Sequence, residues 1–184
     1  MHTIHINKKE LWDEEKEQFV YVDEQYIQIE HSLVSMSEWE SKYHKSFINT
    51  DKTVEETLDY IQMMVVGDKP SEDTFYSLSK SQLEEIGDYI NNPMTATIIN
   101  EEDEEKIKSS NINGKFTSSE EIYSWMVALQ IPFECQYWHI NRLIVLIKLC
   151  AINAKPKDDK NKNKKIDLAS RRARMIAARQ KYKK

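Results

Sequence analysis

The sequence predicts an α+β fold: a small N-terminal antiparallel sheet packed on a helical domain, followed by a flexible basic C-terminal tail. Three observations carry that expectation. Residues 3–30 contain short β-prone runs in which polar and apolar side chains alternate. From residue 37 onward, Ser- or Thr-led capping signals precede apolar residues spaced three and four apart. The charge then changes sign: residues 1–154 hold 13 Lys/Arg against 28 Asp/Glu, whereas residues 155–184 hold 13 against 3. The chain therefore reads as a domain over 1–154 and a basic segment over 155–184.

Taken in order, Thr3-Ile4-His5-Ile6 alternates, Phe19-Val20-Tyr21-Val22 is compact, and Tyr26-Ile27-Gln28-Ile29-Glu30 alternates again. This is the period-2 signature of half-buried strands. Asp13-Glu14-Glu15-Lys16 reads as the first connection and Asp23-Glu24 as a tight second one. Two or three such strands need a helical layer over their apolar face.

Helices follow. Ser37-Glu38-Trp39-Glu40 reads as a capping box opening a short helix with Trp39 and Tyr43, the hydroxyl and carboxylate serving the free amides of the first turn. Thr53-Val54-Glu55-Glu56 repeats the device. Its helix sets Val54, Leu58, Ile61, Met64 and Val65 on one face, with Gly67 as C-cap. Ser81-Gln82-Leu83-Glu84 opens another, with Leu83, Ile86 and Ile90 inward and a stop at Asn91-Asn92-Pro93. Residues 93–99 allow a further strand, and the acidic run from Glu101 to Glu105, on to Gly114, reads as a solvated loop. Ser118-Ser119-Glu120-Glu121 caps a helix carrying Ile122, Trp125, Met126 and Leu129. After Ile131-Pro132, residues 133–153 read as one long apolar helix burying Trp138, Leu143, Leu146, Ile147 and Cys150. These last two helices are expected at the centre of the core. Beyond Ala154 a Lys/Asn-rich linker leads into Ile166–Lys181, which has strong helix formers but only a weak apolar stripe. Such a segment becomes helical when something orders it.

Composition narrows the function. No apolar stretch reaches the eighteen or so residues of a membrane span, since the longest, Leu143 to Ile152, is interrupted by Lys148. The first residues lack the basic and apolar regions of a secretory leader. Two cysteines suit neither a disulfide framework nor a zinc cage, and a reducing compartment fits them. Only three glycines are present, and no phosphate-cradling, zinc-protease or nucleophile-elbow motif occurs. The commoner enzyme classes are thereby disfavoured, and no catalytic residue, cofactor or metal is expected.

Individual candidates are weaker than they first look. Cys135 and His139 lie four apart in the expected long helix, a spacing that suits two zinc ligands or a Cys/His nucleophile. Zinc needs three or four ligands and no second pair is nearby, so packing is the better reading. The carboxylate pairs Glu14-Glu15, Glu55-Glu56 and Glu84-Glu85 read as solvated edges. Trp39, Trp125 and Trp138 fall inside helical apolar patterns and belong to the core. Trp12 lies in the least regular segment and is the candidate partner-docking anchor, because exposed aromatics dominate interface energetics. Lys164, Lys165, Arg171, Arg172 and Arg174 form a candidate polyanion-binding tail. Tyr182 is the one aromatic there, so contact would be unspecific. A solubilising tail is favoured, and nucleic acid is not expected as a partner.

One set of segments carries a family likeness. Residues 31–41 (His-Ser-Leu-Val-Ser-Met-Ser-Glu-Trp-Glu-Ser), Pro93-Met94-Thr95-Ala96-Thr97, and Glu121-Ile122-Tyr123-Ser124-Trp125-Met126 running into Ile131-Pro132-Phe133-Glu134-Cys135 are joined by Trp138-His139-Ile140-Asn141-Arg142-Leu143. Together they resemble the tail assembly, or tape-measure, chaperones of tailed bacteriophages, which are related to baseplate-hub assembly proteins. The resemblance covers roughly residues 1–153 and is most specific from Glu121 to Leu143. One departure is Ser46, where such sequences have proline before Phe47. The resemblance implies a non-enzymatic protein in the cytoplasm of the infected host, binding the phage tape-measure protein or another tail protein, with self-association left open. A structural virion subunit of the tail or baseplate hub is the alternative. The shared motifs are structural, so no active residues carry over.

Overall fold

A long antiparallel ribbon opens the chain in the computed structural model, which describes residues 1–14, 17–100 and 117–154. Strand β1 (His2–Ile6) pairs with β4 (Gln25–Ile29), and β2 (Lys9–Asp13) pairs with β3 (Gln18–Val22), giving two two-stranded sheets. Strand β2 corrects the expectation that the chain loops irregularly through Trp12 into Asp13. Its own sequence is a weak strand former, but Leu11 opposes Val20 and Trp12 opposes Phe19, and such cross-strand pairs decide strand formation more than intrinsic preference does.

The two sheets are one ribbon interrupted once. Lys9 lies seven residues after His2, and its partner Val22 lies seven before Ile29, so the register passes the break without slip. At the base, Ile4, Ile6, Ile27 and Ile29 share a buried face. Continued at period 2, that face becomes Glu10 and Trp12 opposite Tyr21 and Phe19, all exposed. At the tip it is the other face that turns inward: Val22 is buried and Leu11 packs on the core. The ribbon therefore turns over at Asn7-Lys8 and Asp23-Glu24, where strand pairing lapses, in keeping with the strong twist of two-stranded ribbons.

Helix α1 (Leu33–Tyr43) starts earlier than the Ser37 box suggests. Ser32 is the N-cap, accepting from the Ser35 amide at 3.2 Å while its own amide donates to Ser35 Oγ at 3.1 Å. The earlier start places Leu33 and Met36 on a buried face, which outweighs the competing cap. Helix α2 (Val54–Met63) begins as predicted, with Thr53 and Glu56 exchanging amide bonds of 3.2 and 3.0 Å. Val54, however, is exposed; Tyr60 and Ile61 are the buried apolar residues of this helix. Its C-cap is Met64, and Gly67 serves instead a turn at φ +95° that suits a residue without Cβ. Helix α3 (Glu72–Tyr76) escaped the sequence reading, being too short for periodicity to register. Helix α4 (Lys80–Asn91) is capped by Ser79 with Gln82 rather than by Ser81, and Pro93–Ile99 forms no strand.

Helix α5 (Ser119–Ala128) takes no bond from its Ser118 side chain. The buried Glu40 carboxylate of α1 reaches across instead, accepting from the Ser119 amide at 2.7 Å and its hydroxyl at 2.5 Å. The expected long apolar helix is two elements: a 3₁₀-helix (Phe133–Tyr137) and helix α6 (Ile140–Ala154). The break occurs because Trp138 is extended and the Ile140 amide donates to the His31 carbonyl at 2.7 Å, tying α6 to the end of β4.

Of the described residues, all but the last two of α6 lie in one compact unit, Met1–Ile152. One apolar cluster joins the ribbon base to Trp39, Tyr60, Ile61, Phe75 and Ile86. The other joins Leu33 and Met36 to Ile122, Met126, Leu143 and Ile147, with Phe47 packed against both. The last two helices thus hold one of two clusters rather than a single centre. Among the described residues no helix is long and apolar enough to cross a membrane.

Candidate docking surface

The turned-over tip puts three aromatic side chains on one outward face. Trp12, Phe19 and Tyr21 are 53%, 57% and 65% exposed. Alternation explains the grouping, because Phe19 and Tyr21 sit two apart on β3 and Trp12 pairs directly with Phe19. The Trp12 and Phe19 rings meet edge to face with centroids 5.0 Å apart, the arrangement that ring quadrupoles favour. Glu10 lies directly opposite Tyr21, and hydrogen bonding and charge from that carboxylate push the phenol above its ordinary range. Beneath, Leu11 and Val22 hold the tip to the core, and β3 runs against α3. Two side-chain bonds reinforce this seat: Lys9 Nζ to the Ser77 carbonyl at 3.3 Å, and Gln25 Nε2 to Thr74 Oγ1 at 3.5 Å.

A face of this kind offers rigid aromatic area at little entropic cost, the usual currency of protein recognition. Trp12, singled out in the sequence, belongs to this face, but on a strand rather than in an irregular segment. Phe19 and Tyr21 were missed as surface residues. The signal that finds them is the alternation in Phe19-Val20-Tyr21-Val22, whose two aromatics must share a face. Of the other tryptophans only Trp39 is fully buried. Trp125 and Trp138 are half-buried, the latter under the Arg142 guanidinium at 4.3 Å. The basic residues Lys164, Lys165, Arg171, Arg172 and Arg174 lie outside the described residues.

A concave feature occurs at the ribbon base. A cavity of about 350 Å³ is lined by Met1, Val34, Met63, Met64, Val66 and Tyr137, with Glu30 and Glu38 among its polar groups. Thioethers make such a lining adaptable.

A further polar cluster is internal and structural. His31 Nδ1 lies 2.5 Å from Tyr60 Oη, and its ring stands 5.1 Å from that of His139. His139 Nε2 donates to the Tyr89 carbonyl at 3.1 Å, so Nδ1 is free to accept from the Asn141 amide at 3.3 Å. Its ring thereby caps α6. Tyr89 Oη donates to Glu30 at 2.6 Å. Burial, then the neighbouring His139, lowers the His31 pKa to about 3, and burial lowers that of His139. Both rings are thus neutral packing groups that join β4, α2, α4 and α6.

Cys135 does not share a helix face with His139, since one lies in the 3₁₀-helix and the other caps α6. Burial raises the Cys135 thiol, the opposite of what a nucleophile needs. Among the described residues no group of three or more His, Cys, Asp or Glu side chains is placed to hold a metal. Glu56, read as solvated, is buried. Its carboxylate is bonded by Lys45 at 2.5 Å and by the Thr53 amide, which hold it below the usual range. Compared with known proteins, the chain matches no family model, no curated protein and no solved structure.

Proposed function

We propose that this protein is a non-catalytic tail assembly chaperone of a tailed bacteriophage, working in the cytoplasm of the infected host. In this reading it covers the tape-measure protein until the tail tube assembles around it. The observation that carries the reading is the exposed aromatic face of Trp12, Phe19 and Tyr21, held on a paired two-stranded ribbon. The sequence likeness from Glu121 to Leu143 supplies the client. A tape-measure protein is a very long helical chain whose apolar stripes aggregate when bare. A binder with an aromatic face and a strongly acidic body would cover those stripes and keep coated complexes apart through like charge.

The test is co-expression with the tape-measure protein of the same phage, followed by affinity capture and by mass spectrometry of purified virions. Capture of the client, with this protein present in infected-cell lysate and absent from finished particles, is the expected result. A fixed copy number in the virion makes it a structural subunit of the tail or baseplate hub. Failure to capture any tail protein overturns the proposal.

A further inference from the structure

Resting on that reading of the ribbon tip as the client-binding surface, we infer that the tip recognises a cationic amphipathic segment of its client: apolar side chains seated on Trp12 and Phe19, with Lys or Arg reaching toward Tyr21, Glu10 and the surrounding carboxylates. The apolar half follows from the exposed face already described. The cationic half follows from charge. Glu10 lies on the aromatic face itself, and Glu14, Glu17, Asp23 and Glu24 are all exposed along the ribbon. Over Glu10–Glu24 the sequence holds seven carboxylates against the single cation Lys16. The nearest strand cation, Lys9, is turned away, its ammonium bonded to the Ser77 carbonyl on the inward side.

Aromatic faces and carboxylates act in the same direction. The negative face of an indole or phenol ring attracts an ammonium or guanidinium within about 6 Å. Arg fits doubly, because its planar fork both stacks on rings and pairs with carboxylates. Tyr21 pairs directly with Glu10 across the two strands, so an incoming cation meets ring and carboxylate together. An acidic segment meets the opposite field at every one of these groups, and a neutral apolar stripe gains only the Trp12 and Phe19 contacts. Nucleic acid and anionic lipid are repelled for the same reason.

The experiment uses the full chain and two fluorescent 20-residue helical peptides with the same Leu/Ala stripe, one flanked by Lys and Arg, the other by Glu. Anisotropy titrations at low and high salt measure each affinity. The cationic peptide should bind at least ~10-fold more tightly, and its affinity should fall ~5-fold or more when salt rises from 0.05 to 0.5 M, as screening shortens the reach of exposed charges. Trp12→Ala and Phe19→Ala should each weaken it ~10-fold, and Glu10→Gln ~3-fold, with unchanged circular dichroism. Equal affinity for both peptides, binding of neither, or full binding by both alanine variants overturns the inference. A Trp12-dependent dimer in light scattering, without peptide binding, also overturns it and gives the face to a second copy of the chain. Capture of a tape-measure client that is indifferent to salt sinks this inference alone, whereas absence of any captured client sinks the underlying reading.

Discussion

The base and the tip of the ribbon share a register but bury opposite faces. At the base, Ile4, Ile6, Ile27 and Ile29 carry the fold; at the tip, the continuation of their face leaves Trp12, Phe19 and Tyr21 in solvent. A protein under pressure only to fold has no reason to leave three large aromatics outside while smaller aliphatics are packed within. The difference separates residues that hold the chain together from residues available to something else. It predicts that the two halves respond oppositely to the same kind of truncation.

The largest stability effect belongs to the base. Ile29→Ala, at a fully buried position between β1 and the helical layer, should cost about 2–5 kcal/mol in urea denaturation. An unchanged midpoint would mean that the base is not the structural half. Next comes Glu40→Gln, which removes the buried carboxylate joining the Phe47 amide to both Ser119 groups. A loss of about 1–3 kcal/mol is expected, read by the same method. A carboxamide keeps one accepting oxygen, which can serve the Ser119 pair or the Phe47 amide, and sets its NH2 donors against the other side.

Acid should distinguish the halves further. His31 lies two residues past the end of β4 and stays neutral to about pH 3 in the folded state, whereas an unfolded histidine titrates near 6.5. Unfolded chains therefore bind more protons through that window, and stability should fall as pH drops below about 6.5. The slope for His31 is roughly 1 kcal/mol per pH unit. Thermal melts between pH 7 and 5 check this above the range where carboxylates contribute, and His31→Gln should flatten the curve. Insensitivity of the wild-type melting point over that range would remove the histidine from the account. Smallest of all, Trp12→Ala at the tip should change stability by no more than about 1 kcal/mol, losing chiefly its edge contact with Phe19. A loss comparable to that of Ile29→Ala would break the contrast between the halves.

What could be read from the sequence follows the same division. The α+β class, the Thr53–Glu56 cap and the end of α4 at Asn91 were legible because each rests on near neighbours. The start of α1 was not. Two serine signals compete there, and burial of Leu33 and Met36 decides between them. The division of residues 133–154 was hidden as well, because the bond that breaks the helix comes from His31, more than a hundred residues earlier. For the candidate surface, Trp12 was legible as an irregularity in the pattern, while Phe19 and Tyr21 were read only as part of a strand, with no face assigned. Alternation assigns residues to faces but does not say which face looks inward, and here that answer changes along the ribbon.

The uninterrupted register has one more implication, for length variation. Parity, not composition, sets which side chains the tip displays. Deleting Lys8 alone would bring Leu11 into the place of Glu10 and set Trp12 against the helical layer, hiding the aromatic anchor without altering a single chemical group on it. Removing one residue from each strand at the break, Lys8 with Asp23, would restore the cross-strand partners yet leave both displaced by half a pleat. Gains or losses of two residues per strand would keep the same residues outward, so the Asn7-Lys8 and Asp23-Glu24 steps should tolerate change only in even numbers.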